Sequence, residues 1–102
     1  MIVLKGNPTK KTVKRRHSAA GKRLIGAIRE VQALEFARRI TAIRLKMGLS
    51  QPEFARKFGL TLRSLQEWEQ ARRMPDQAVV SYFFVIAINP GAVERALNSV
   101  AA

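Results

Sequence analysis

The stretch GLSQPEFARKFGLTLRSLQEWE, residues 48–69, constrains the fold most, because it carries start and stop signals for two successive helices. Ser50 followed by Glu53 is a capping box, in which the serine oxygen accepts a backbone N–H and the glutamate reaches back to the Ser50 N–H. Pro52 falls in the first turn, where its missing N–H costs no helical bond. Leu49 and Phe54 have the spacing of a hydrophobic staple. This helix runs to Phe58 and stops at Gly59, which accepts the left-handed conformation that a sharp turn needs. Thr61 caps the next helix, with Leu60 and Leu65 as its own staple. Local chemistry alone therefore specifies a short helix, a tight turn and a second helix.

Phe54, Ala55, Phe58, Leu65 and Trp68 form the apolar set that locks this pair, and the small Ala55 permits a close crossing. Thr61, Leu62, Arg63, Gln66 and Glu67 are left near the outer, N-terminal side of the second helix. That is the arrangement of a helix-turn-helix, whose second helix sets its N-terminal residues against base edges in the major groove.

The rest of the chain reads as helix as well. Leu24, Ile28 and Val31 are spaced for one helical face, and Phe36, Ile40, Ile43 and Met47 repeat that spacing in a slightly shifted phase. The shift near Leu34–Glu35 fits either two helices with a bend or one long helix that changes packing partner. Its first part covers the core or offers a surface to a partner. Pro75-Asp76 opens a strongly apolar segment with Val79, Val80, Phe83, Phe84, Ile86 and Ile88. Its thirteen residues have no partner strand elsewhere and read as a buried helix. Asn89-Pro90 caps a last helix, with Val93, Leu97 and Val100 along one face. Few aromatic residues and sparse glycine and proline favour helices over a sandwich or barrel.

Charge narrows the partners. The 102 residues carry 19 Lys+Arg against 7 Asp+Glu, a net +12, which points to a polyanion, either nucleic acid or an anionic membrane surface. Residues 1–39 hold eleven of the basic side chains and two of the acidic ones. KGNPTKKTVKRRH, residues 5–17, has little apolar material to offset its ordering entropy and reads as a flexible arm over residues 1–17, either a solvated tail or a phosphate-binding arm. The absence of cysteine excludes a disulfide framework and a thiolate metal site. With no visible export signal or spanning segment, a cytoplasmic location is expected.

Residues 40–88 resemble the Xre/Cro-type helix-turn-helix of phage-repressor-like regulators. The cues are Gly-Leu-Ser-Gln, Glu-Phe-Ala, the turn glycine and Trp-Glu followed by Arg-Arg-x-Pro. The resemblance implies an all-α, lambda-repressor-like bundle of about five helices over residues 36–102. An extra N-terminal helix over residues 18–35, as a possible partner-binding segment, and the basic arm precede it. It also implies base contacts from Thr61, Leu62, Arg63, Gln66 and Glu67. Backbone contacts fall to Gln51, Arg56, Lys57 and Ser64, and an Arg44–Glu69 ion pair ties the first helix to the recognition helix. With its preceding helix, WEQ-x-RR-x-P and the tail NPGAVERAL, the longer frame is similar to HigA-like antitoxins, which repress their own operon and neutralise a RelE/HigB-like mRNA-cleaving toxin. The implied partners are double-stranded DNA with an inverted-repeat operator, a second copy of the chain and such a toxin, with no cofactor, metal or membrane. The other function within this frame is a stand-alone Xre-type regulator with no toxin.

Arg63 is the foremost candidate for readout, because a guanidinium can bond guanine O6 and N7 together. Glu67 repels phosphate and is placed to orient Arg63 one turn away. An enzyme finds no support: the single histidine, His17, lies in the arm and no carboxylate pair has acid–base spacing. At WEQARRMP, residues 68–75, Ala71 stands where related motifs have glycine. Either Ala71 takes a strained left-handed conformation at about 1 kcal/mol, or the helix runs on to Arg72 or Arg73 before Pro75 breaks it; alanine is the best helix former, so the second is expected. Those arginines then complement the helix dipole, and at least one is expected to contact phosphate.

Overall fold

The computed structural model describes residues 19–101, which form five helices with no strand among them: α1 Ala19–Lys46, α2 Gln51–Lys57, α3 Leu62–Glu69, α4 Gln77–Ile88 and α5 Pro90–Ala101. The basic arm expected over residues 1–17 lies outside the described residues. The architecture is the all-helical, lambda-repressor-like bundle that the sequence implies, with the extra N-terminal helix continuous with the first helix of the bundle.

The predicted caps account for the helix starts. Ser50 accepts the Glu53 N–H at 3.2 Å, and the Glu53 carboxylate accepts the Ser50 N–H at 2.8 Å. Thr61, Asp76 and Asn89 each accept a backbone N–H three residues on, all at 3.1 Å. Each cap satisfies one N–H that a helix start otherwise orphans, an effect of about 1 kcal/mol apiece.

Three helices end in the same way. After α1, α2 and α3 the chain reverses through a left-handed residue: Gly48 at φ 72°, Gly59 at φ 69° and Ala71 at φ 58°. In each case the next N–H reaches back five residues, Leu49 to Arg44 O, Leu60 to Ala55 O and Arg72 to Glu67 O, at 3.3, 2.8 and 2.9 Å. This is the Schellman closure, which supplies partners to carbonyls the helix has run out of donors for. The third reversal corrects the expectation at WEQARRMP. The helix stops at Glu69 and does not continue to Arg72 or Arg73, and Ala71 takes the strained conformation. Helix propensity at one residue is worth a few tenths of a kcal/mol. Two carbonyl closures and the burial of Pro75 outweigh it.

The core gathers around Phe83 of α4. Its ring meets Phe36 edge-on at 5.4 Å, Trp68 edge-on at 5.9 Å and Phe54 stacked at 6.1 Å. Thus α1, α2, α3 and α4 share one aromatic cluster. Ile40, Phe54, Ala55, Phe58, Leu65, Trp68, Ile86 and Val93 complete the buried cluster around it. The Tyr82 hydroxyl donates to Phe58 O at 2.6 Å and ties α4 to the end of α2.

One sequence expectation needs correction. The segment after Pro75-Asp76 is a helix but is buried on one side only: Phe83 and Ile86 are inside, while Phe84, Val85 and Ile88 face outward. A helix apolar all round gives the sequence no means of choosing a face. In α5, Val93 is buried and Leu97 packs on the core, while Val100, further along the helix, is exposed. Of the two alternatives for residues 19–46, one long helix is realised. Its C-terminal half buries Ala33, Phe36, Ala37 and Ile40, and the Leu24, Ile28 and Val31 face of its first half is exposed and covers no core.

Replacing Ala71 with glycine removes the left-handed penalty of a Cβ, about 1 kcal/mol. Thermal unfolding of Ala71→Gly should therefore show a midpoint several degrees above the wild type. A lowered midpoint would contradict the geometry at this turn.

Candidate nucleic-acid interface

The second helix of the motif, α3, is seated by two buried side chains, Leu65 and Trp68, so its opposite side is turned outward. Of the candidate base-contacting residues, Thr61, Leu62 and Arg63 are exposed, while Gln66 and Glu67 are half-exposed. Arg63 extends furthest, with 88% of its side chain accessible. The Thr61 hydroxyl is committed to the cap of α3 through the Ser64 N–H.

Beneath this surface lies a polar lock. Arg44 of α1 donates through Nε and Nη2 to the two carboxylate oxygens of Glu69, both at 2.8 Å, and through Nη1 to Leu49 O at 3.0 Å. The two side chains are 12% and 5% exposed. Gln51, at the first position of α2, donates to Glu69 at 3.0 Å and accepts from Gln66 at 3.4 Å. One carboxylate thus fixes α1, α2 and α3 relative to one another, and the fork geometry makes the pair directional. Burial pushes the Glu69 carboxyl up, but the hydrogen bonds from Arg44 and Gln51, with the charge of Arg44, outweigh it and hold it below the usual carboxylate range.

The remaining cations divide between two places. Arg73 turns back onto α3, donating from Nε to Glu67 at 2.7 Å and from Nη2 to the Ser64 hydroxyl at 3.4 Å, with its guanidinium 5.9 Å from the Trp68 ring centre. The Trp68 indole N–H is buried without a hydrogen-bond partner among the described residues. Arg72 is exposed beside it. Arg56 and Lys57 sit at the other end of α2 from Gln51, lining a groove with Gly59, Glu94, Leu97 and Asn98, where Lys57 pairs with Glu94 at 3.6 Å. The structure therefore brings Gln51, Ser64, Gln66, Glu67 and Arg73 together around α3 and sets Arg56 and Lys57 apart.

Sequence reasoning missed the Glu67–Arg73 contact. Six residues separate the partners, outside the helical i,i+4 rule, and only the reversal at Ala71 brings them together. The expected continuous helix hid it. Glu67 meets Arg63 as well, at a looser 3.5 Å. The hydrogen bond from Arg73 is the main reason the Glu67 carboxyl lies below its ordinary range, with Arg63 adding a smaller effect.

Residues 40–81, less than half of the chain, match the family model described as Helix-turn-helix. No curated protein and no solved structure gives a significant match. The match covers the end of α1, all of α2 and α3 and the first part of α4, and it supports a DNA-binding transcriptional regulator of the Xre type. No single helix among the described residues is long and apolar enough to cross a membrane.

Because the folded-state pKa of Glu69 is depressed, its contribution to stability is complete above the ordinary carboxylate pKa of about 4.3 and is lost as pH falls through the lower, folded value. Glu69→Gln leaves Arg44 buried without its counter-charge and should cost about 3 kcal/mol near pH 7 in urea unfolding. The deficit against the wild type should shrink as pH falls below the ordinary carboxylate pKa and through the lower, folded one. A deficit independent of pH would show that the lost charge is not its source.

Proposed function

We propose that this protein is a sequence-specific DNA-binding repressor that acts as the antitoxin of a toxin–antitoxin pair and regulates its own operon. One observation carries the DNA-binding part: a capped helix whose inner face is locked by Leu65, Trp68 and the Glu69 network presents Thr61, Leu62, Arg63, Gln66 and Glu67 on its outer face. A rigid helix of this kind enters the major groove, with Arg63 against guanine O6 and N7. Gln51, Ser64, Arg72 and Arg73 then meet the phosphates on either side, with Arg56 and Lys57 further out.

A second copy doubles the surface. The outward Phe84, Val85 and Ile88 of α4 offer exposed apolar side chains for a two-fold contact. Two recognition helices about 34 Å apart favour an inverted repeat with half-sites one turn apart. The antitoxin part rests on the likeness of the longer frame and on the first half of α1, where Leu24, Ile28 and Val31 face solvent on a helix that continues into the DNA-binding body.

The protein should shift a fragment from upstream of its own gene with a footprint over two half-sites, and affinity should fall steeply with added salt. Arg63→Ala should cost about 1–3 kcal/mol of discrimination at one base position. Equal binding to any duplex at physiological salt would end the specific-repressor reading, and a uniform loss in Arg63→Ala would assign Arg63 to phosphate.

For the toxin, co-expression with the adjacent gene product and affinity capture should yield a complex. Combined substitution of Leu24, Ile28 and Val31 by serine should abolish that complex while DNA shifts persist. If the neighbour is never captured by the wild type, the chain is a stand-alone regulator. Capture unaffected by the triple substitution would place the toxin surface elsewhere.

A further inference from the structure

A carboxylate at the centre of a surface meant for phosphates calls for an explanation. Glu67 sits on the outer side of α3 between two guanidiniums, 2.7 Å from Arg73 Nε through one oxygen and 3.5 Å from Arg63 Nε through the other. Arg73 has two further restraints, the Ser64 hydroxyl and the face of Trp68. Among the described residues Arg63 has none besides Glu67, and its side chain is 88% exposed. The two cations differ in freedom, and the same acid holds both.

We propose that Glu67 is a specificity-determining positioning residue. It orients Arg63 for two-bonded contact with a guanine edge, confines Arg73 to one position along the backbone, and places its own negative charge against any duplex on which those contacts do not form. The inference rests on the DNA-binding reading above. On a matched site the carboxylate keeps Arg63 as its partner while the free edge of that guanidinium meets guanine O6 and N7, a planar fork that tolerates a ligand on each side. On an unmatched duplex Arg63 finds only phosphates, and reaching them pulls it away from Glu67 and leaves a carboxylate facing phosphate oxygens. Glu67 weakens indiscriminate binding, which charge otherwise dominates, more than it weakens the specific complex.

The test compares wild type and Glu67→Gln, which keeps the shape and removes the charge. The probes are the best-bound duplex that the wild type selects from a randomised pool and a shuffled duplex of the same composition. Glu67→Gln should bind the shuffled duplex at least about threefold more tightly, with a salt slope steeper by about one. It should bind the selected duplex no more tightly than the wild type does, so that selectivity drops roughly tenfold or more once the loss of Arg63 orientation is included. Selectivity preserved within twofold would overturn the proposal and leave the DNA-binding reading intact. If the wild type selects no duplex, that reading fails and the proposal with it. Independently of DNA, arginine side-chain NMR on the free protein should show slower exchange of the Arg73 Nε–H in the wild type than in Glu67→Gln. Equal exchange would remove the clamp on which the proposal stands.

Discussion

The placement of every outward side chain on α3 depends on one buried carboxylate. Glu69 is nearly inaccessible, and leaving it charged there is tolerable only because Arg44 meets both of its oxygens and Gln51 adds a third hydrogen bond. A greasy side chain of similar volume would pack α3 against α1 with comparable energy but would leave the helix free to slide or roll. A two-pronged ion pair cannot be satisfied in more than one register. The pair thus contributes less to stability than to the angle at which α3 emerges from the body, and α2 is held to the same reference through Gln51.

Around that fixed point the fold repeats one solution at its helix ends. Three short connections close by a left-handed residue and a backward hydrogen bond, and two of them use glycine, of which only Gly59 was expected. The third uses alanine and accepts strain, and it is the one that returns Arg73 to the side of the recognition helix. The strain of a Cβ at Ala71 therefore stands next to the charged cluster of Glu67, Ser64 and Arg73, a juxtaposition that a straight helical exit would have abolished.

Much of this was legible in the residues. Caps and staples are local, so Ser50, Glu53, Thr61, Asp76 and Asn89 announced the helix starts, and Phe54, Phe58, Leu65 and Trp68 announced the packing of α2 on α3. What could not be read was set by competition between local preference and distant packing. Ala71 favours helix on its own propensity, and only the carbonyls behind it and Pro75 ahead of it make the reversal cheaper. The uniform apolarity of α4 concealed that Phe83 is the hub of the core while Phe84, its neighbour in sequence, faces water. Among the candidate site residues, chemical type was readable but pairing was not. Arg73 looked like a free cation and is instead held by three groups.

The continuity of α1 has a mechanical consequence. Because no break separates the exposed Leu24–Val31 face from the buried Phe36–Ile40 face, the azimuth of one is phased to the other by helical geometry at about 100° per residue. Whatever grips the distal half is therefore geared to the body like a key on its shaft. A single residue inserted between Gln32 and Ala33 would turn that grip by more than a quarter of a revolution while leaving the buried face that begins at Ala33 in place.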